Sequence, residues 1–182
     1  MVLFEREDDA HRFMRVLPRR LAKFGLMLNQ AKTQLLRYGK QAAWQAIESG
    51  DKLPTFDFLG FTHYWGRSRT GKARLKRKTS KKRLRRALVD LKQWLRQERN
   101  ARRLPQLWQA IGGKMRGHFN YFGVSDNSRA LYQFERAVHN LLFKWLNRRS
   151  QRRSFTWDCF LRYMARFPLP RPRRLVSLFP VG

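Results

Sequence analysis

Residues 80–103, SKKRLRRALVDLKQWLRQERNARR, determine the fold of the second half of this chain. Leu84, Leu88, Leu91 and Leu95 recur at the period of an α-helix, which predicts a helix with one apolar face turned to a core. At about 100° of rotation per residue, a row of cations falls beside that face. The row consists of Lys78, Lys81, Arg85, Lys92, Arg96, Arg99 and Arg103. One helix is therefore predicted to have both a buried face and a cationic face.

Further helices are predicted on the C-terminal side of this stretch. Pro105 favours the first turn of a second helix, and residues 126–128 provide capping side chains for a third. Ser154 or Thr156 can cap a short fourth helix, in which we expect Cys159 to be a core residue. The prolines at 168, 170 and 172 then predict an extended tail. Residues 79–167 are predicted to form a basic helical bundle.

On the N-terminal side, short apolar runs and turn residues predict antiparallel strands around a helix. The helix is predicted to begin at Asp8 or Asp9, to be kinked or split by Pro18, and to end at Gly25. A weaker helical stretch surrounds Trp44. The predicted strands are Met1–Phe4, Leu26–Leu28, Thr33–Tyr38 and a hairpin of Phe56–Trp65 with Lys72–Lys76. The predicted fold class is α+β, with short strands and a helix before the helical bundle.

The composition limits the class of protein. The 182 residues include 41 Lys and Arg against 12 Asp and Glu, a formal net charge of +29, most of it after residue 60. Because 42% of the residues are hydrophobic, a core can form, which excludes a disordered basic tail. The single cysteine excludes a disulfide framework and a multi-thiolate zinc site. Without a membrane-length apolar run or a signal peptide, we predict a cytoplasmic protein that binds nucleic acid rather than a membrane.

The basic residues predict a nucleic-acid surface, because lysine and arginine neutralise phosphates and release counterions. The excess of arginine favours RNA, since a guanidinium group pairs with phosphate and stacks on bases. In RGHFNYF (116–122), cations and an amide lie among aromatic rings, although this pattern also fits a helix that packs Phe119 and Phe122 in a core. The predicted RNA contacts are Arg67, Arg69, Lys72, Lys76, Lys78, Lys81, Arg85, Lys92, Arg96, Arg99, Arg116, His118, Asn120, Arg148, Arg149, Arg152 and Arg153. Any single one of them could instead be a solvated surface charge.

Catalytic and metal-binding groups are not predicted in this chain. The acidic residues of the first half are scattered, and those near the N-terminus are explained by helix capping. The four histidines do not have the spacing of metal ligands. We therefore expect no catalytic residue, no bound metal and no cofactor.

Four stretches, in this order, resemble the C-terminal part of a bacterial group II intron reverse transcriptase/maturase. They are LAKFGLMLNQAKTQLLRYG (21–39), FDFLGFTHYWGRSRTGK (56–72), KMRGHFNYFGVSDNSRAL (114–131) and RRSQRRSFTW (148–157). The resemblance implies that residues 1–78 are the end of a polymerase palm, residues 79–167 the thumb or maturase domain X, and residues 168–182 a Pro/Arg-rich tail. It also implies a site around the primer and nucleotide. In that site Phe58, Leu59, Gly60 and Phe61 grip the primer terminus, and Lys32 lies near the phosphates of the incoming nucleotide.

The resemblance also sets an expectation for function. The aspartate motifs that hold two magnesium ions in the family's polymerases do not occur in this sequence. The chain is then expected to be an RNA-binding fragment of a truncated reading frame, holding group II intron RNA or primer–template to support splicing and retrohoming. One alternative is the C-terminal half of a split RNA-directed DNA polymerase that needs a separate N-terminal half. Another is a general basic RNA chaperone.

Overall fold

The computed structural model describes residues 1–51, 53–68, 70–149, 155–172 and 176. The chain divides into two compact units, Met1–Pro54 and Thr55–Gly182. The described residues form six helices and one three-stranded antiparallel sheet, which confirms the predicted α+β class. The predicted boundary between residues 78 and 79 lies inside the second unit, where the last strand meets the first helix of the bundle.

The first unit contains α1 (Glu7–Ala22) and α2 (Lys40–Ser49), the latter confirming the helical stretch predicted around Trp44. Pro18 lies inside α1 and the helix continues through it, so the predicted split is wrong. Pro18 is exposed, and water can therefore satisfy the carbonyl group that loses its N–H donor. Helix α2 ends at Gly50, whose φ of +81° is the left-handed conformation that glycine adopts without strain.

The three strands predicted in the first unit, Met1–Phe4, Leu26–Leu28 and Thr33–Tyr38, are wrong: the structure has no strand there. A short 3₁₀ turn, Gln30–Lys32, follows Asn29 instead, and the Asn29 side chain accepts a hydrogen bond of 3.2 Å from the Lys32 N–H group. Among the described residues no strand pairs with these segments, and a strand without a paired neighbour would leave backbone groups unsatisfied. Several of their apolar residues are exposed to solvent, among them Leu3 at 80% and Met27 at 96%.

The second unit begins with the sheet, which consists of β1 (Phe56–Phe58), β2 (Phe61–Arg67) and β3 (Ala73–Thr79) in that order. The predicted β2–β3 hairpin is confirmed, with Tyr64 opposite Lys76. The predicted first strand is divided by a two-residue turn at Leu59 and Gly60, where Phe58 pairs with Phe61. Both turn residues have positive φ, +49° and +81°, which is the backbone of tight hairpins with right-handed twist.

The bundle consists of α3 (Lys81–Ala101), α4 (Leu104–Phe122), α5 (Ser128–Leu146) and α6 (Trp157–Arg166), and it confirms the four predicted helices. Ser80 and Thr156 cap α3 and α6 by accepting hydrogen bonds of 3.3 Å from backbone N–H groups. The fully buried core contains Leu95, Leu107, Ile111, Met115, Leu131, Val138, Leu142, Leu146 and Phe160. Cys159 is exposed, so its predicted place in the core is wrong. It precedes the buried Phe160, and neighbouring positions of a helix lie about 100° apart.

Among the described residues, we find no helix of the length and apolar character needed to cross a membrane.

Candidate nucleic-acid interface

The exposed cationic face of α3 is the first part of the candidate interface. Lys81, Arg85, Lys92 and Arg96 are all exposed, whereas Leu91 and Leu95 on the apolar face are 6% and 1% exposed. We call these four cations the α3 stripe. The separation of the two faces is the one that the leucine period predicts.

The acidic residues of α3 do not neutralise the α3 stripe. Asp90 lies 3.8 Å from the Arg86 guanidinium, and Glu98 pairs with Arg102. In both ion pairs the cation lies outside the stripe, and within the described part of the chain no ion pair involves a stripe residue. The stripe therefore presents four uncompensated positive charges to solvent, which is a favourable surface for a polyanion.

Trp145 of α5 brings further predicted contacts close to the end of α3. The Arg99 guanidinium lies 4.7 Å from the centre of the Trp145 ring, and that of Arg148 lies 5.4 Å from it. Arg149 donates a 3.0 Å hydrogen bond to the backbone oxygen of Arg102. Arg99 is half-buried, with its guanidinium group over the indole ring, so it is less accessible than the α3 stripe.

The hairpin provides a second group of cations around Tyr64. Lys76 lies directly opposite Tyr64, and Lys78 places Nζ 4.8 Å from the centre of the Tyr64 ring. Arg74, opposite Gly66, shares this face because alternate residues of a strand point the same way. The sequence reasoning missed Arg74, although its spacing from Lys76 and Lys78 would have identified it. The predicted contacts Arg67 and Lys72 are exposed near the other end of the hairpin.

The segment Arg116–Phe122 separates into two faces of α4. Arg116 and Asn120 are exposed, whereas Phe119 and Phe122 belong to the core. His118 stacks on Phe134, with 3.7 Å between ring centres and 12° between ring planes. Burial lowers the pKa of His118 to about 4, so the imidazole is neutral at physiological pH. The structure therefore places His118 as a packed ring rather than as a cation.

The Leu59–Gly60 turn is held against the C-terminal end of α4. The Tyr121 hydroxyl donates a 2.9 Å hydrogen bond to the backbone oxygen of Leu59, and the Ser80 N–H donates one of 2.9 Å to the oxygen of Gly60. A Cβ atom at Gly60 would lie 3.4 Å from the Phe122 ring, an ordinary contact distance, so the φ of +81° rather than the space favours glycine here. The Leu59 side chain remains 66% exposed at a left-handed backbone position. The predicted group Phe58, Leu59, Gly60 and Phe61 thus forms a fixed turn with an apolar tip.

Asn127 links the hairpin to α4, a role that the sequence reasoning missed. Its fully buried side chain accepts a 2.7 Å hydrogen bond from the Thr79 N–H group. It also donates to Thr79 Oγ1 at 2.8 Å and to the Phe122 backbone oxygen at 2.9 Å. The sequence suggested only a helix cap at this position, yet the Asn127 side chain makes no capping hydrogen bond.

The remaining predicted residues do not join these groups. Lys32 is exposed in the first unit, at the end of the 3₁₀ turn. Arg69, Arg152 and Arg153 lie outside the described residues. The described residues contain no group of three or more His, Cys, Asp or Glu side chains that could hold a metal ion.

Comparisons with known proteins identify the second unit. The family model described as "Group II intron, maturase-specific domain" matches residues 72–164, just over half of the chain. No curated protein matches the chain, and no solved structure does. The matched range begins in the hairpin and includes α3, α4, α5 and most of α6. The chain therefore belongs to the group II intron maturase-specific domain family, which assigns it a maturase role in group II intron splicing with intron RNA as the implied partner.

Proposed function

We propose that this chain binds group II intron RNA, or a primer–template duplex, through the α3 stripe and the Tyr64 side of the hairpin. The observation that supports this most is the α3 stripe itself. Its four exposed cations lie inside the maturase-specific region, and the two acidic residues of the same helix pair with other arginines. In this proposal the chain supports splicing and retrohoming in the cytoplasm by holding RNA, and no step passes through a metal ion.

The physical basis of the proposed binding is counterion release from phosphates. Lys81, Arg85, Lys92 and Arg96 face solvent, so they can approach a phosphate backbone without a change in the fold. The Arg148 guanidinium contacts the Trp145 ring, as that of Arg99 near the end of α3 does, so Arg148 would extend the contact with RNA. The exposed Arg116 and Asn120 provide polar contacts from α4. His118 is not part of the proposed surface, because its ring is packed and neutral.

The Leu59–Gly60 turn is the proposed contact with a primer end, and Lys32 the proposed contact with a nucleotide phosphate. The primer contact is supported by two properties of Leu59, its strained backbone and its exposed side chain. A leucine at φ +49° is unfavourable, and its side chain is 66% exposed, so folding gains little from it. An exposed residue that costs stability is better explained by contact with a ligand than by packing.

We expect Leu59→Asn to affect stability and binding in opposite directions. Asparagine tolerates the left-handed region better than leucine, so the free energy of unfolding should rise by about 0.5–1 kcal/mol. Affinity for a primer–template duplex should fall, because the apolar tip is lost. Thermal unfolding and fluorescence anisotropy measure the two effects. The exposed Leu26→Asn is the control. Unchanged duplex affinity in Leu59→Asn would show that the turn is not a primer contact.

Competition between RNAs tests the proposed function as a whole. With a labelled group II intron RNA bound to the full chain, unlabelled intron RNA should displace it at a concentration at least about ten-fold lower than bulk tRNA does, because specific contacts add to phosphate binding. Equal displacement by the two RNAs would instead indicate a general basic RNA chaperone.

A second candidate, a split RNA-directed DNA polymerase, is favoured by the poor core of the first unit. Within its described residues only Ala10 and Ala43 are buried, while Leu3, Phe24 and Met27 are exposed. A separate N-terminal half could cover these side chains and supply the catalytic aspartates. Primer extension with both polypeptides present tests this candidate, which predicts incorporation above that of either polypeptide alone.

A further inference from the structure

An apolar groove lies between α3 and α5. Its volume is about 580 Å³, and its floor consists of Leu84, Leu88, Val89, Ala137 and Leu141. Val89 is 43% exposed, whereas Leu91 and Leu95 of the same helix are buried. The lining includes no aromatic ring, and Asn140 is its one uncharged polar residue. The groove therefore presents an aliphatic surface to solvent, and this surface offers no ring on which an RNA base could stack.

Cations surround this aliphatic floor. Lys81, Arg85, Lys92 and Lys144 belong to the lining, which contains no acidic residue. All four are exposed, and none takes part in an ion pair within the described part of the chain. Four like charges around the apolar groove raise the local positive potential. A ligand with carboxylates on both sides of an apolar face would neutralise these charges.

We propose that this α3–α5 groove docks an acidic amphipathic helix of a partner protein. Aliphatic side chains of the partner helix would cover the floor, and its Glu or Asp residues would meet the four cations, which is the helix-in-groove mode of recognition. The lining runs along α3 from Lys81 to Lys92, a distance of about 17 Å at the rise of an α-helix, or about three turns. The groove thus has the length of a short helix.

Two other occupants fit these observations less well. A nucleobase on the aliphatic floor would leave its polar edges without partners and would find no aromatic ring to stack on. A second copy of this chain has a net charge of +29, which opposes its approach to a cationic groove. Because Arg85 and Lys92 also belong to the α3 stripe, the docked helix competes with RNA, and the groove would be a place where a partner controls RNA release. This consequence rests on the proposed function, whereas the docking does not.

A synthetic peptide of about 14 residues tests the proposal, with Leu at helical spacing and Glu on both flanks. The control peptide has the same charge and Gln in place of each Leu. Measured by fluorescence anisotropy on the full chain, the Leu peptide should bind about ten-fold more tightly. Val89→Gln should remove most of this preference without changing the thermal midpoint, because Val89 is partly in solvent. Lys144→Gln should weaken binding, while the matched Arg136→Gln, on another flank of α5, should not.

The methyl signals of Leu84, Leu88, Val89 and Leu141 provide an independent readout, because they should shift when the Leu peptide binds. Equal affinity of the two peptides would overturn the proposal, since binding would then need charge alone. So would a Val89→Gln variant that binds RNA less tightly but the Leu peptide equally well, because the groove would then belong to the RNA surface. Concentration-dependent dimerisation abolished by Val89→Gln would assign the groove to a second copy instead. The comparison of the two peptides is made without RNA, so its outcome is distinguishable from failure of the proposed RNA binding.

Discussion

Changing Arg85, Lys92 and Arg96 together to alanine is expected to weaken RNA binding about 50-fold at 0.15 M salt. With on the order of eight phosphate contacts, the wild-type plot of log K against log salt should have a slope of roughly −6 on single strands. Removing three contacts should reduce the slope to roughly −4, and the affinity difference should grow at lower salt. The three side chains are exposed, so the thermal midpoint should stay nearly unchanged.

A matched triple substitution separates a local surface from net charge. Arg12, Arg15 and Arg19 are exposed on α1 of the first unit, and changing them to alanine removes the same three charges. This control should leave the affinity within a few-fold of the wild type. A wild-type slope shallower than about −2 would contradict the α3 stripe as the main contact surface. A large fall in the midpoint of the α3 variant would show that the stripe is structural.

The bundle was predictable because its signals are local and agree with one another. In α3 the leucine period defines the buried face, Ser80 caps the helix, and the cations occupy the remaining surface. Each of these features depends on residues within a few positions of one another. The cationic face of α3 was therefore identified from spacing alone, before any contact was known.

The strands of the first unit were not predictable in the same way. A run such as Leu26–Leu28 has the residue types of a strand, but a strand exists only when a neighbour pairs with its backbone. The pairing partner is a property of the fold, and periodicity does not reveal it. In the structure these residues lie instead between α1 and the 3₁₀ turn, with Leu26 and Met27 exposed.

Two features of the site escaped prediction for a related reason. Leucine is not a usual turn residue, so the division of Phe56–Trp65 at Leu59 and Gly60 had no composition signal beyond the glycine. The hydrogen bonds of Asn127 join positions 48 residues apart in sequence. Contacts at that separation follow from packing, and the amide was predicted only as a local cap.

Asn127→Ala is expected to be the most destabilising polar substitution in the second unit. It would leave the buried Thr79 N–H group without its Asn127 acceptor and would remove the amide donor to Thr79 Oγ1. The Phe122 oxygen would lose one of its two donors and keep the 2.8 Å hydrogen bond from the Val124 N–H group. At about 1–3 kcal/mol for the unpaired N–H group and about 0.5–1.5 kcal/mol for each of the other two lost hydrogen bonds, the free energy of unfolding should fall by about 3 kcal/mol. The midpoint of the second unit should fall by about 10 °C, as measured by calorimetry. The exposed Asn120→Ala on α4 is the control and should change the midpoint little.

Asn127→Asp distinguishes the hydrogen bonds from the volume of the side chain. The carboxyl group is nearly isosteric with the amide, but once ionised it cannot donate to Thr79 Oγ1 or to the Phe122 oxygen. Burial would raise its pKa above that in the unfolded chain, so the variant should be most stable in acid and lose stability as pH rises through the folded pKa. Hydrogen exchange at the Thr79 amide should accelerate strongly in Asn127→Ala, which lacks the acceptor, and much less in Asn127→Asp, whose carboxyl oxygen still accepts from that amide. Wild-type stability and exchange in Asn127→Ala would show that other contacts hold the hairpin to α4. These are the Tyr121–Leu59 hydrogen bond and the Phe61 ring, whose centre lies 6.1 Å from that of Tyr121 and 5.1 Å from that of Phe122.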